Sequence, residues 1–466
     1  MSNILLVEPD YGSKFPPLGL MKLSSWHKQC GDQVNFVRGC DREKKNFHWH
    51  RIYISSLFTW ELPRTVKTIK YYQQSVLSSK DIFVGGIGAT LLPDYIREQV
   101  DCTIIEGQIE QPGILGPNSP PIAEMVPDYD LIQSVDYSYT PENAYFLRIT
   151  KGCVRSCKFC AVPQLEKEFG YLSDIKDQVK RTNNEFGEKQ HMVIMDNNVL
   201  ALKDIEDRIK DIRSLGFERG AKRNGRMMTV DFNQGIDARL IAKKPILAKL
   251  LGTLPLKPIR LAFDFVSKSM ERDYRTSIKL LVDQGFGSFT NYMLYNFKDT
   301  PTDFYYRLRI NAELNNQLGI RVSGFPMRYI PPTETQRGYV SPNWNWRYLR
   351  GIQCVLQATH GLVSPRTEFM HAAFGESQEE FEEILSMPDR YILFREHFKH
   401  NGASDGWRKQ FRMLSRSERG DFLTLLGTLH ADRKRKDAIK GIKKFRDLLE
   451  HYYPGGNSPP AITGAP

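Results

Sequence analysis

The sequence predicts an α/β protein with a doubly wound N-terminal domain over residues 1–125, a partial (β/α)6 barrel over residues 140–330, and a mainly helical region over residues 340–453. Three observations predict it. Short β-rich runs alternate with longer helical ones through the first hundred residues. Six further strand-then-helix repeats follow a linker dense in proline and glycine. The alternation then stops after Pro331-Pro332.

In the first region, Ile4–Val7, Gln33–Val37, Ile52–Leu57, Asp81–Val84 and Thr103–Ile105 read as buried parallel strands, with helices around Leu18–Cys30 and Pro63–Leu77. Glycine-bearing turns at Gly12 and Gly85–Gly88 fall just past the carboxyl ends of strands, where such sheets bind ligands. Gln111 to Pro127 carries Pro112-Gly113, Gly116-Pro117 and Pro120-Pro121, the composition of a linker. The barrel strands are expected at Tyr145–Ile149, Met192–Met195, Met228–Phe232, Arg260–Phe263, Tyr292–Tyr295 and Gly319–Ser323. Helices such as Ile175–Phe186 and Lys203–Leu215 lie between them. The tail from Pro454 to Pro466 is rich in proline, glycine and small residues and is expected to be disordered.

Composition narrows the classes. With 41% hydrophobic residues among 466, the chain can build real cores. No apolar run approaches the roughly 20 residues of a membrane span, and the N-terminus enters a strand without a signal-peptide pattern. No membrane partner and a cytoplasmic location are therefore expected. Lysine and arginine number 65 against 54 aspartates and glutamates, a net charge of +11 that attracts polyanions without naming one. Seven cysteines, three of them within eight residues, suit a metal site in a reducing compartment better than a disulfide framework.

Those three cysteines stand in Lys151-Gly152-Cys153-Val154-Arg155-Ser156-Cys157-Lys158-Phe159-Cys160, directly after the first barrel strand, with the spacing C-x3-C-x2-C. Three thiolates on one loop can each hold one iron of a [4Fe–4S] cubane, leaving the fourth iron open to an exogenous ligand. A structural zinc would need a fourth Cys or His nearby, and the next histidine is His191. An electron-transfer ferredoxin would usually supply a fourth cysteine.

This motif, with aromatic Phe159 before its last cysteine and its position after strand one, closely resembles the radical-SAM signature. The resemblance implies a [4Fe–4S] cluster on Cys153, Cys157 and Cys160. In that family the open iron chelates S-adenosylmethionine, and one electron cleaves the sulfonium to methionine and a 5′-deoxyadenosyl radical. A reductase or other electron donor and a substrate, which the residues do not identify, are implied as partners. Asp196 and Asn197 end the second strand, where family members receive the methionine amino group; strand ends also favour such residues for turns alone. Asp231, Asn233 and Gln234 near the end of strand three could contact ribose, carboxylate or substrate, or serve structure. Asp264 and Asn296 follow strands four and five, where barrels draw active-site side chains.

Phe15-Pro16-Pro17-Leu18-Gly19-Leu20 and Val84-Gly85-Gly86-Ile87-Gly88-Ala89-Thr90 look like the Rossmann-like, cobalamin-binding-type domain that precedes the barrel in one radical-SAM subgroup. Gly85 and Gly86 would then border the cofactor, and methyl transfer is one chemistry of that subgroup. This chain lacks the Asp-x-His-x-x-Gly signature and has Gly88 where relatives frequently carry histidine. A domain kept for packing is the alternative, and cobalamin-free rearrangement or oxidation the competing chemistry. Cys30, Cys40 and Cys102 are unevenly spaced, unlike the N-terminal triad of radical-SAM methylthiotransferases. An iron–sulfur sensor or nucleic-acid-binding protein is the reading from another class.

The C-terminal region concentrates Arg433-Lys434-Arg435-Lys436, Lys440, Lys443, Lys444 and Arg446 after Arg408, Lys409, Arg412, Arg416 and Arg419, interleaved with Trp407, Phe411, Phe445 and Tyr452. Such residues can bind nucleic acid. A solvated helical face with aromatics turned inward is favoured over that reading.

Overall fold

The computed structural model describes residues 1–431 and 442–453. The basic run Arg433–Lys436 with Lys440, and the proline-rich tail from Pro454, lie outside the described residues. Two compact units are formed, one of residues 1–260, 277–286 and 330–339, the other of the remaining chain.

The first unit opens with five parallel strands: β1 (Asn3–Glu8), β2 (Gln33–Arg38), β3 (Arg51–Ser55), β4 (Ile82–Gly85) and β5 (Thr103–Ile105), in spatial order 2-1-3-4-5. This is a doubly wound order. The period of two divides the strands between two cores. Leu5, Val7, Ile52 and Ile54 pack beneath the helix Leu62–Tyr72. Ile4, Leu6 and Tyr53 meet Leu20, Met21 and Trp26 of the helix Leu18–Gln29 on the opposite face.

The strand order reverses between β1 and β3, where doubly wound sheets leave a crevice. Here that crevice is filled by the chain itself. Tyr11 is buried, its hydroxyl donating to the Ser55 carbonyl at 2.9 Å and lying 2.8 Å from Thr65 Oγ1. Glu8, buried at the end of β1, accepts from Arg38 Nε at 2.9 Å and from the Tyr139 hydroxyl. Burial pushes the Glu8 carboxyl above its ordinary range despite both donors.

The same unit continues with parallel strands β6 (Ala144–Leu147), β7 (His191–Ile194) and β8 (Thr229–Phe232), with β7 in the middle. Helices Ile175–Phe186 and Ile205–Ser214 separate them. In the second unit, which begins within β9 (Ile259–Ala262), β10 (Ser288–Tyr295) lies between β9 and β11 (Arg321–Arg328). The six expected barrel strands thus form two three-stranded sheets, and no closed barrel is present among the described residues. The physical reason is local. Where a neighbour to β8 should run, Pro255 has no N–H to donate to a ladder. Only a single bridge forms, between Val230 and Leu256.

The second unit ends in helices from Trp346 onward around one core that includes Trp344, Phe374, Phe381, Trp407 and Phe422. Trp407 and Phe411 are buried, and Phe445 and Tyr452 pack partly buried against the same core. Arg408 and Arg412 pair with Glu383, and Lys444 with Asp421. These aromatics are therefore spent on packing. No helix among the described residues is long and apolar enough to cross a membrane.

Arg307 locks the ends of β9 and β10. Its fully buried guanidinium donates to the carbonyls of Phe263, Asp264 and Leu294 at 3.0, 2.9 and 2.7 Å and to Asp299 Oδ2 at 2.8 Å. Removing one partner of a buried, fully bonded pair strands the other charge, at a cost of about 3–5 kcal/mol. Arg307→Leu is expected to lower the denaturation midpoint of this unit by a corresponding amount, and an unchanged urea transition would show that the pair carries no such load.

Candidate functional site

The cysteine loop grows out of β6. After Leu147 the chain runs through Arg148 and Ile149 to Thr150-Lys151, which pairs antiparallel with Gly170-Tyr171 and closes residues 152–169 at their base. Gly152 sits at φ +68°, and a Cβ there would collide with the Glu168 carbonyl, so the first residue inside this closure has to be glycine. Cys153, Cys157, Phe159 and Cys160 are all partly exposed, and the Cys160 N–H turns back to the Cys157 carbonyl at 3.0 Å.

Three carboxylates tie this loop down. Asp196, 3% exposed beyond the end of β7, accepts the Ile149 N–H at 3.1 and 3.0 Å and both the N–H and hydroxyl of Thr150. Burial pushes its carboxyl up, and the hydrogen bonds from Thr150 and Ile149 oppose that only in part. Glu166 accepts the Gly152 N–H, Arg148 Nη2 at 2.8 and 2.9 Å, Asn197 Nδ2 at 3.3 Å and the Gln108 amide. Asp237 caps the helix Ala238–Lys243 and accepts Arg155 Nε at 2.9 Å and Arg239 Nε at 2.7 Å. Burial raises the Asp237 carboxyl, but Arg239 and Arg155 outweigh it and hold the group below the usual carboxylate range. Arg155 lies between the first two cysteines, so Asp237 grips the loop in its middle.

Asp196 and Asn197 are brought to the loop, though each is engaged with protein partners. Asp231 forms a two-pronged pair with Arg260, both contacts at 2.8 Å. That pair lines a cleft of about 790 Å3 that also takes in His191, Met228, Thr229 and Leu256. Asn233 N–H bonds the Ile194 carbonyl at 3.1 Å, and exposed Gln234 donates to Asn233 Oδ1 at 3.2 Å. Asp264 and Asn296 belong to the second unit. There the Asp264 carbonyl receives Arg307. Fully buried Asn296 donates to the Tyr329 carbonyl at 3.0 Å and accepts the Ser341 N–H at 2.9 Å.

The glycine turn after β4 has a packing explanation. Gly86, at φ +110°, would place a Cβ 2.5 Å from the Ser56 carbonyl oxygen, and a Cβ on Gly88 would lie 2.5 Å from Ser56 Oγ. These glycines let the turn settle on its own chain instead of opening a cradle. With Tyr11 buried between β1 and β3 as well, packing accounts for these residues without a cofactor. Cys30 and Cys102 precede β2 and β5, the two edges of the sheet, about 19 Å apart at the usual strand spacing. Cys40 lies past the opposite end of β2, so these three build no second cluster.

Among the described residues, no three His, Cys, Asp or Glu side chains are arranged to hold a metal ion. The donor set of the loop nonetheless suits an iron–sulfur cubane in its chemistry: three soft thiols on one short segment. Cys153 Sγ moreover receives the Arg155 N–H at 3.4 Å and Asn198 Nδ2 at 3.6 Å, donors complementary to a sulfur carrying negative charge. Glu166 was not singled out by sequence reasoning, whereas Asn198 and Asp237 stand in the polar stretches 195–198 and 231–239 that it did pick out, without roles of their own. Glu166 lies within the loop closure and Asp237 beside Asn233-Gln234, but their roles depend on tertiary contact.

No known family's sequence profile matches the chain. Among curated proteins, the ribosomal protein uS12 methylthiotransferase RimO of Ruegeria sp. (strain TM1040) is 32% identical over 101 residues, 19% of this chain and 19% of that protein. The chain thus covers about a fifth of that relative's length. RimO is a radical-SAM enzyme, and this distant likeness supports the broad radical-SAM superfamily and nothing finer.

Proposed function

We propose that this protein is a radical-SAM enzyme in which Cys153, Cys157 and Cys160 hold a [4Fe–4S] cluster with one open iron. The observation that carries the reading is the loop itself: three thiols at C-x3-C-x2-C spacing, directly after a parallel strand and gripped at entry, base and middle by Asp196, Glu166 and Asp237. When bound and reduced by an external electron donor, the cluster would supply the electron that cleaves S-adenosylmethionine to methionine and a 5′-deoxyadenosyl radical. The chain's own residues orient the ligand loop and set the charge around it. Asp196 and Glu166 fix the backbone leading into Cys153, and Asp237 keeps Arg155 from swinging into solvent.

Anaerobic reconstitution with iron and sulfide, followed by dithionite and S-adenosylmethionine, is expected to yield 5′-deoxyadenosine, read by mass spectrometry. Deoxyadenosine alone assigns hydrogen-abstraction chemistry. Accompanying S-adenosylhomocysteine would assign methyl transfer and reopen cobalamin despite the filled crevice. Cys157→Ala is expected to abolish both the four-iron cluster and cleavage, and a full cluster with normal turnover in that variant would overturn the reading.

Asp196→Ala leaves the buried N–H groups of Ile149 and Thr150 without their acceptor, a loss of about 1–3 kcal/mol. Faster amide exchange at these two residues and lower iron retention per chain are expected. Unchanged exchange would mean that the loop is held by other contacts.

A further inference from the structure

Asn198 is 5% exposed and follows β7 by four residues. It opens the short turn Val199–Ala201, yet its side chain makes no capping hydrogen bond there, the role asparagine ordinarily plays at such a position. Its amide nitrogen instead lies 3.6 Å from Cys153 Sγ. Its carbonyl oxygen Oδ1 is buried without a hydrogen-bond partner. A buried amide left half-satisfied costs free energy, so the contact that accounts for its placement is the one to sulfur. The assignment of the two amide atoms follows from the same chemistry: a metal-bound thiolate has no proton to give, and only the N–H2 end can face it. The Arg155 N–H reaches the same sulfur at 3.4 Å, so two donors converge on Cys153.

We propose that Asn198 is a positioning residue that sets the reduction potential of the cluster through Cys153, an inference that rests on the three cysteines holding a cluster. A donor to a ligating sulfur draws off negative charge. The reduced cluster carries one more electron than the oxidised one and gains more from that donor. Asn198 thereby raises the potential and eases delivery of the electron.

The test uses the full chain, reconstituted anaerobically, with iron and sulfide content measured first and the midpoint potential then followed by electron paramagnetic resonance. Asn198→Leu keeps the bulk of the side chain and removes the donor. It is expected to load the same cluster and to make its one-electron reduction less favourable, on the order of tenfold, or about 59 mV more negative. Should that variant fail to fold, Asn198→Ala decides, with the same expected direction. A fully loaded variant with the wild-type potential overturns the inference while leaving the cluster reading intact. A wild-type protein that takes up no four-iron cluster overturns the reading beneath it.

Discussion

The grip of a buried carboxylate on backbone N–H groups organises the candidate site. Asp196 can stay beneath the surface as an anion only if donors surround it, and the segment entering the cysteine loop supplies them at Ile149 and Thr150. That requirement works in both directions. The carboxylate needs the loop backbone in one place, and the loop, which has little regular structure of its own, acquires a defined path. Glu166 repeats the device at Gly152, where the left-handed backbone and the nearby Glu168 carbonyl leave no room for a side chain. Asp237 completes it by holding Arg155, its carboxylate shared between Arg155 and Arg239. A ligand loop anchored at three points costs less to order when a cofactor arrives than a free one does.

Much of the fold was legible because strands of a parallel sheet are buried on both faces and read as short apolar runs. Ile4–Val7, Gln33–Val37 and Thr103–Ile105 fall within β1, β2 and β5 or coincide with them. The break beside β8 was not legible, because periodicity does not register that Pro255 has no N–H to lend a ladder. The strands β10 and β11 also depart from their expected bounds: Ser288–Asn291 and Gly324–Arg328 pair in register beyond the expected runs, while Gly319-Ile320 precede β11, Gly319 closing the helix before it.

At the site, the cysteines were visible because their type and spacing carry chemistry by themselves, and Asp196 only through the family resemblance. What Asp196 binds was not, since nothing in one strand end reveals which backbone will pass over it. Glu166 escaped notice because a single glutamate is commonplace until a tertiary neighbour gives it a partner, and Asn198 stood beside Asp196 and Asn197 without a role of its own. The glycine turn after β4 is the converse case. Gly85 and Gly86 suggested a cofactor cradle, and close packing on Ser56 explains Gly86 without one.

The measurement that tests the central claim most directly is anomalous diffraction at the iron edge from crystals of the anaerobically reconstituted protein. The account predicts one compact four-iron peak against Cys153, Cys157 and Cys160, with the fourth iron bound to no protein side chain. A single metal ion at the loop, a fourth protein ligand, or iron held elsewhere in the chain would contradict it.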